Sequence, residues 1–140
     1  MPFKEKIAWI SVVTTIVAWG GYFGFMMATR ARLPTPVYTL AFVGAVVMQI
    51  ALVVVATIVT ALLAPRDAGA GNDERDRDIA RRSGAVAYPV LLTLVVGVAA
   101  SMHFGMTSRD MAYGIMAAIV VAEVVHYGAQ IVGYRSGRHG

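Results

Sequence analysis

Apolar residues in this chain fall into four runs of about 20 residues or more, the length that crosses a ~30 Å hydrocarbon core. The runs cover roughly residues 7–27, 37–63, 84–106 and 111–134, with polar residues gathered between them. The pattern predicts an all-α fold, a four-helix transmembrane bundle. The connections leave no room for a separate soluble domain, so residues 1–140 read as a single four-span membrane domain. Lys4 and Lys6 precede the first run as they would in a signal peptide. That run exceeds a 7–15-residue signal core and no small-x-small cleavage site follows, so it reads as helix 1.

Small and aromatic residues add packing expectations. Trp9 and Tyr22 sit where amphipathic rings settle at the two membrane boundaries. Gly20, Gly21 and Gly24 on helix 1, Gly97, Ser101 and Gly105 on helix 3, and Gly114, Ala118 and Ala122 on helix 4 form small-residue ridges. Such ridges let helix backbones approach closely, so self-association into a homo-oligomer is expected. Pro34 and Pro36 separate helices 1 and 2. Pro89 is expected to kink helix 3.

Between the second and third runs the chain turns abruptly polar. Residues 65–71 read as a flexible turn. Residues 72–83 read as a short charged cytosolic helix, capped by Asn72, with acids first and arginines last to suit the helix macrodipole. Its expected pairs are Asp73–Arg77, Glu74–Arg77, Asp78–Arg81 and Asp78–Arg82. The segment is either a self-paired, solvated extension of helix 3 or a docking surface for a protein partner made of Asp73, Glu74, Arg75, Asp76, Arg77, Asp78, Arg81 and Arg82. Asp73-Glu74-Arg75-Asp76, followed by Ile79, Arg82, Ser83 and an apolar helix with Tyr88, resembles the acidic-basic segment of a group of small, uncharacterised bacterial four-helix membrane proteins. The resemblance implies no activity. Small multidrug exporters are of similar size, but their essential carboxylate lies in the first helix, and the run 7–27 has none.

Composition agrees with a membrane setting: 58% of residues are hydrophobic and 14% charged, with a mean hydropathy of +0.67. Soluble proteins average roughly 45–50% apolar and about 25% charged. With both termini inside, nine of the twelve Lys and Arg residues fall on the cytosolic side and only Arg30, Arg32 and Arg109 outside. This bias predicts one fixed topology in the cytoplasmic (inner) membrane. The net charge of +4 suits a cytosolic face against anionic lipid rather than nucleic acid. Cysteine is absent, which removes thiol–disulfide chemistry and thiolate metal sites. No cofactor motif and no nucleophile–base pair is present, so a non-enzymatic protein is expected.

The candidate chemistry lies within the spans. Counting ~1.5 Å per residue from the outer helix ends places Gln49 and Glu123 about 18 Å deep, with Thr15 and Thr93 near the same level. On helix 4, Met116, Ile119, Glu123, His126, Gln130 and Tyr134 share one stripe. This pattern predicts a polar crevice open toward the cytosol. Glu123, His126, Gln49, Gln130 and Thr15 could form hydrogen-bonded structural glue, a proton or ion relay, or, more remotely, part of a Glu-x-x-His metal site. Near the outer end, Met102, His103 and Met106 share a face of helix 3. Such ligands suit Cu(I), although methionine is also ordinary apolar filler.

Two functions are carried forward: a structural or partner-regulating membrane subunit, and a proton-linked transporter of a small solute or cation. The charge bias generates the first prediction. Reporter fusions at both termini should read as cytosolic and a label at Arg109 should be reachable from outside; a terminus that reads as external overturns the topology.

Overall fold

The computed structural model describes residues 3–29, 33–65 and 74–136. They form four long helices: α1 (Phe3–Thr29), α2 (Thr35–Leu63), α3 (Glu74–Ser101) and α4 (Ser108–Ser136). One 3-10 turn, Met102–Phe104, follows α3. All four helices are long and apolar enough to cross a membrane. At 27 to 29 residues, each measures about 40 Å and outreaches the hydrocarbon core.

The helices run past the apolar segments because a hydropathy boundary does not end a ladder of backbone hydrogen bonds. The clearest case is the charged segment. Residues 74–83 are the opening turns of α3, continuous with its apolar part, so the separate cytosolic helix expected over 72–83 does not form. Ser83 and Gly84 are too weak as breakers to end a helix flanked by good helix formers. Asn72 and Asp73 lie outside the described residues. The helix also continues through Pro89 without interruption. Pro34 is the N-cap of α2, while Pro36 is already in its first turn, where a missing N–H costs nothing.

The chain divides into two compact units, Met1–Gly71 and Asn72–Gly140. In the first, α1 and α2 form a helical hairpin closed by an aromatic cluster. Trp19 stacks edge-on with Tyr22 at 5.7 Å and meets Phe42 at 5.9 Å, while Phe25 lies 6.4 Å from Tyr38. The Tyr38 hydroxyl donates to Thr29 Oγ1 (3.3 Å) and accepts from the Leu33 amide (3.1 Å), tying the connection to both helices. Tyr22 is therefore buried in this cluster. Most of α2 is exposed, with only Tyr38 and Ala45 buried among its described side chains.

In the second unit α3 and α4 pack antiparallel, joined by a tight, locally capped turn. Gly105 takes φ +85°; its amide donates to the Met102 carbonyl (3.3 Å) and the Met106 amide to the Ser101 carbonyl (3.4 Å). This paired arrangement is a Schellman stop, and it requires a residue that tolerates the left-handed region. Gly105 thus ends the helix rather than extending a packing ridge. On the other side, Thr107 Oγ1 accepts from the Asp110 amide (3.2 Å) and donates to Asp110 Oδ2 (2.7 Å). Thr107 is thus a side-chain N-cap at the start of α4, held in place by the Asp110 carboxylate.

Of the small-residue ridges, the one on α4 is covered, and Gly133, outside every ridge, is packed as closely. A Cβ on Gly133 would lie 2.9 Å from Ile79 Cγ2, and one on Gly114 would lie 3.0 Å from both Val98 methyl groups. The two contacts are nineteen residues apart on both helices, so one register holds over about 28 Å. Ala118 and Ala122 are buried along the same ridge, as their spacing with Gly114 predicts. In contrast, a Cβ on Gly20, Gly21, Gly24 or Gly97 would meet nothing within 4 Å. Four-residue spacing identifies a smooth face but not which face is covered.

Gly133→Val should therefore force a stiff, branched Ile79 aside and destabilise the α3–α4 hairpin by about 1–3 kcal/mol, the usual range for overpacking. Gly24→Val and Gly97→Val should be nearly neutral. Thermal unfolding in detergent checks the ranking, and equal losses in all three would remove the register described here.

Candidate functional site

Within α1–α2, the depth count brings the expected residues together. Gln49 Nε2 donates to Thr15 Oγ1 at 3.0 Å, and the Trp19 indole N–H donates to Gln49 Oε1. An indole nitrogen can only donate, so Trp19 fixes the amide orientation and leaves Nε2 to face the threonine. Thr15 and Trp19 are both buried. The result is a polar clasp in an otherwise apolar hairpin. Trp19 was missed in the sequence reading. The available signal was that a mid-span indole N–H needs an acceptor, and Gln49 was the polar side chain predicted nearest its level.

Within α3–α4, the stripe divides. Gln130 Nε2 lies 2.9 Å from His126 Nε2. An amide nitrogen can only donate, so His126 Nε2 is the acceptor in this contact. His126 also packs edge-on against Tyr127 at 5.2 Å. Glu123 joins neither group. It is exposed and makes no hydrogen bond or ion pair with any described residue. Thr93 is exposed as well. On α2, Thr60 turns back on its own helix: its Oγ1 donates to the Ala56 carbonyl at 2.7 Å, which satisfies the hydroxyl without a neighbour.

The first helix also contains a carboxylate outside the run read as apolar. Glu5 lies in the first turn of α1 and is 0% exposed. The expectation that helix 1 has no carboxylate held only because the run was started at residue 7.

The charged opening of α3 is partly committed to the end of α4. Arg75 Nη2 donates to the Tyr134 carbonyl at 3.3 Å, supplying one of the C-terminal helix carbonyls with a cationic donor. The buried Tyr134 hydroxyl also lies close enough to the Asp76 carboxylate to interact with it. Arg82 pairs with Asp78 at 2.8 Å. Neither Glu74–Arg77 nor Asp78–Arg81 forms among the described residues, and Asp73–Arg77 lies partly outside them. Of the two partners within reach of Asp78, Arg82 is the one it pairs with.

Near the other end of this hairpin, Met102 and His103 sit in the 3-10 turn and Met106 just beyond it. Met106 Sδ accepts from Ser101 Oγ at 2.9 Å, and His103 Nδ1 lies 3.2 Å from the Ala100 carbonyl. Both contacts are local. Among the described residues, no group of three or more His, Cys, Asp or Glu side chains could hold a metal ion. No family model, curated protein or solved structure matches this chain.

The clasp generates a test by non-additivity. Thr15→Val removes one bond and should cost about 0.6 kcal/mol, the average for an intramembrane hydrogen bond. Gln49→Leu removes two bonds and orphans a buried indole N–H, so about 1–3 kcal/mol is expected. In a Trp19→Phe background the Gln49→Leu penalty should fall well below that, and strict additivity of the two changes in a double-mutant cycle would show that the clasp does not form.

Proposed function

We propose that this chain is a small, non-enzymatic four-span membrane subunit of the bacterial kind that residues 73–88 resemble. Its site is the cytoplasmic membrane, with both termini cytosolic, and it assembles with a membrane partner through the Glu123 face of α4. Glu123 carries this reading. It lies about 20 Å along α4 from either end, exposed and with no described partner. An ionisable side chain at mid-bilayer costs on the order of 3 kcal/mol even on lenient insertion scales. A carboxyl that its own hairpin leaves uncovered therefore favours a neighbour that brings a hydrogen-bond donor or a cation to the same depth.

The charged segment is less suited to that role than its composition suggested. Arg75 and Asp76 are engaged with Tyr134, and Asp78 with Arg82. The relay reading draws less support, because His126 is bonded to Gln130 and not to Glu123. The fitting partner is a transmembrane helix presenting His, Lys, Arg, Asn or Gln opposite Glu123. A second copy of this chain is one source of such a helix.

A photo-reactive residue replacing Ile119, one turn from Glu123, should give a discrete protein adduct in native membranes. That adduct should disappear in Glu123→Leu, while the purified variant unfolds at the same temperature as wild type or higher. Only lipid adducts at this position would overturn the assembly reading. Solute-dependent proton flux in proteoliposomes, abolished by Glu123→Gln, would replace it with transport.

A further inference from the structure

Four arginines lie in the first three turns of α3, and the structure separates them into two pairs. Arg75 is spent on the Tyr134 carbonyl and Arg82 on Asp78. Arg77 and Arg81 are exposed and form no ion pair with any described residue. Glu74, three residues before Arg77, is exposed too and does not neutralise it. These two exposed guanidinium groups are one turn apart on one face of the helix.

The same face continues into the apolar part of α3. Residues four, seven or eight, and eleven positions after Arg77 share its stripe. These are Arg81, Gly84 and Ala85, then Tyr88, with Leu92 one turn farther on. Tyr88 is 63% exposed and Leu92 46%. Gly84 carries no side chain, and a Cβ there would meet nothing within 4 Å. From end to end the stripe therefore presents two exposed cations, a shallow stretch of small residues, an aromatic ring and an aliphatic side chain. Arg81 and Tyr88 are about 10 Å apart along the axis, comparable to the distance from a lipid phosphate to the upper acyl chain. Tyrosine is enriched at that interfacial depth.

We propose that this stripe is a binding site for an anionic phospholipid of the leaflet from which the start of α3 emerges. Its headgroup phosphate is held between Arg77 and Arg81, and its acyl chain lies along Tyr88 and Leu92. Charge complementarity selects the occupant. Two guanidinium groups without carboxylate partners among the described residues favour a headgroup of net negative charge over a zwitterionic one, whose own ammonium would be repelled. The order of cation, ring and aliphatic chain matches a lipid and not a soluble phosphate. The site is independent of Glu123 and of any protein partner.

Retention of phosphatidylglycerol over phosphatidylcholine, read by native mass spectrometry of the full chain released from mixed nanodiscs, is the test. Each of Arg77→Gln and Arg81→Gln should lower the preference about fivefold, the equivalent of ~1 kcal/mol per basic residue at a membrane surface. The double variant should abolish it. Arg82→Gln, already engaged with Asp78, should have little effect. Arg109→Gln makes the same change in net charge at the other end of the hairpin and should have none. Unfolding temperatures in phosphatidylcholine alone should match wild type for all four single variants. The proposal is overturned by an unchanged preference in the double variant, by an equal loss in Arg109→Gln, or by displacement of the lipid by inorganic phosphate.

Discussion

Lipid offers no hydrogen bonds to the backbone, and this constraint shapes everything else in the chain. Each spanning segment must satisfy its own N–H and C=O groups, so it is helical from one interface to the other. Lipid tails are also as apolar as leucine, which removes the hydrophobic drive that assembles soluble helices. What remains is close backbone contact and a few polar bonds. Each hairpin emphasises one of these means. The α1–α2 pair relies on the Trp19–Gln49–Thr15 clasp and stacked aromatic rings. The α3–α4 pair relies on Gly114 and Gly133 opposite Val98 and Ile79.

That division explains what could be read in the sequence. Four spans were evident because twenty apolar residues in succession have few other structural uses. The helices run past these spans, α3 beginning at Glu74 where its apolar run begins at residue 84, because polarity marks where the membrane stops and not where the helix stops. Matching Thr15 with Gln49 worked because depth is a one-dimensional quantity that residue counting supplies. Packing needs the rotation of each helix as well. Gly97 and Gly114 both lie in four-residue series of small residues, yet only Gly114 is covered. The distinguishing information lies in the partner helix.

Glu123 and the opening of α3 show two ways of placing charge at a membrane. Arg75, Asp76 and Tyr134 join at the ends of their helices, where water is near and a cation suits the carbonyls of a helix C-terminus. Glu123 lies far from either end and gains nothing comparable from its own hairpin. Hydrogen-bonded glue was one reading of this group, yet Glu123 makes no bond to His126. Residues three apart share a face, yet Gln130, one turn farther on, occupies the ring nitrogen. A side chain with two helical neighbours is not bonded to both by default.

The turn between α3 and α4 has a consequence for how this half of the chain tolerates change in length. Gly105 closes one helix and Thr107 opens the next, each through bonds made within the turn itself. Only Gly105, Met106 and Thr107 separate the 3-10 turn from α4. The two caps therefore act as a phase-setting joint. A residue added on the α4 side and taken into the helix would rotate everything after it by about 100°. Val98 and Ile79 would then face side chains where they now face glycine. Insertions and deletions here are transmitted down both helices as a change of facing, which makes this short connection less permissive of length variation than its exposed position suggests.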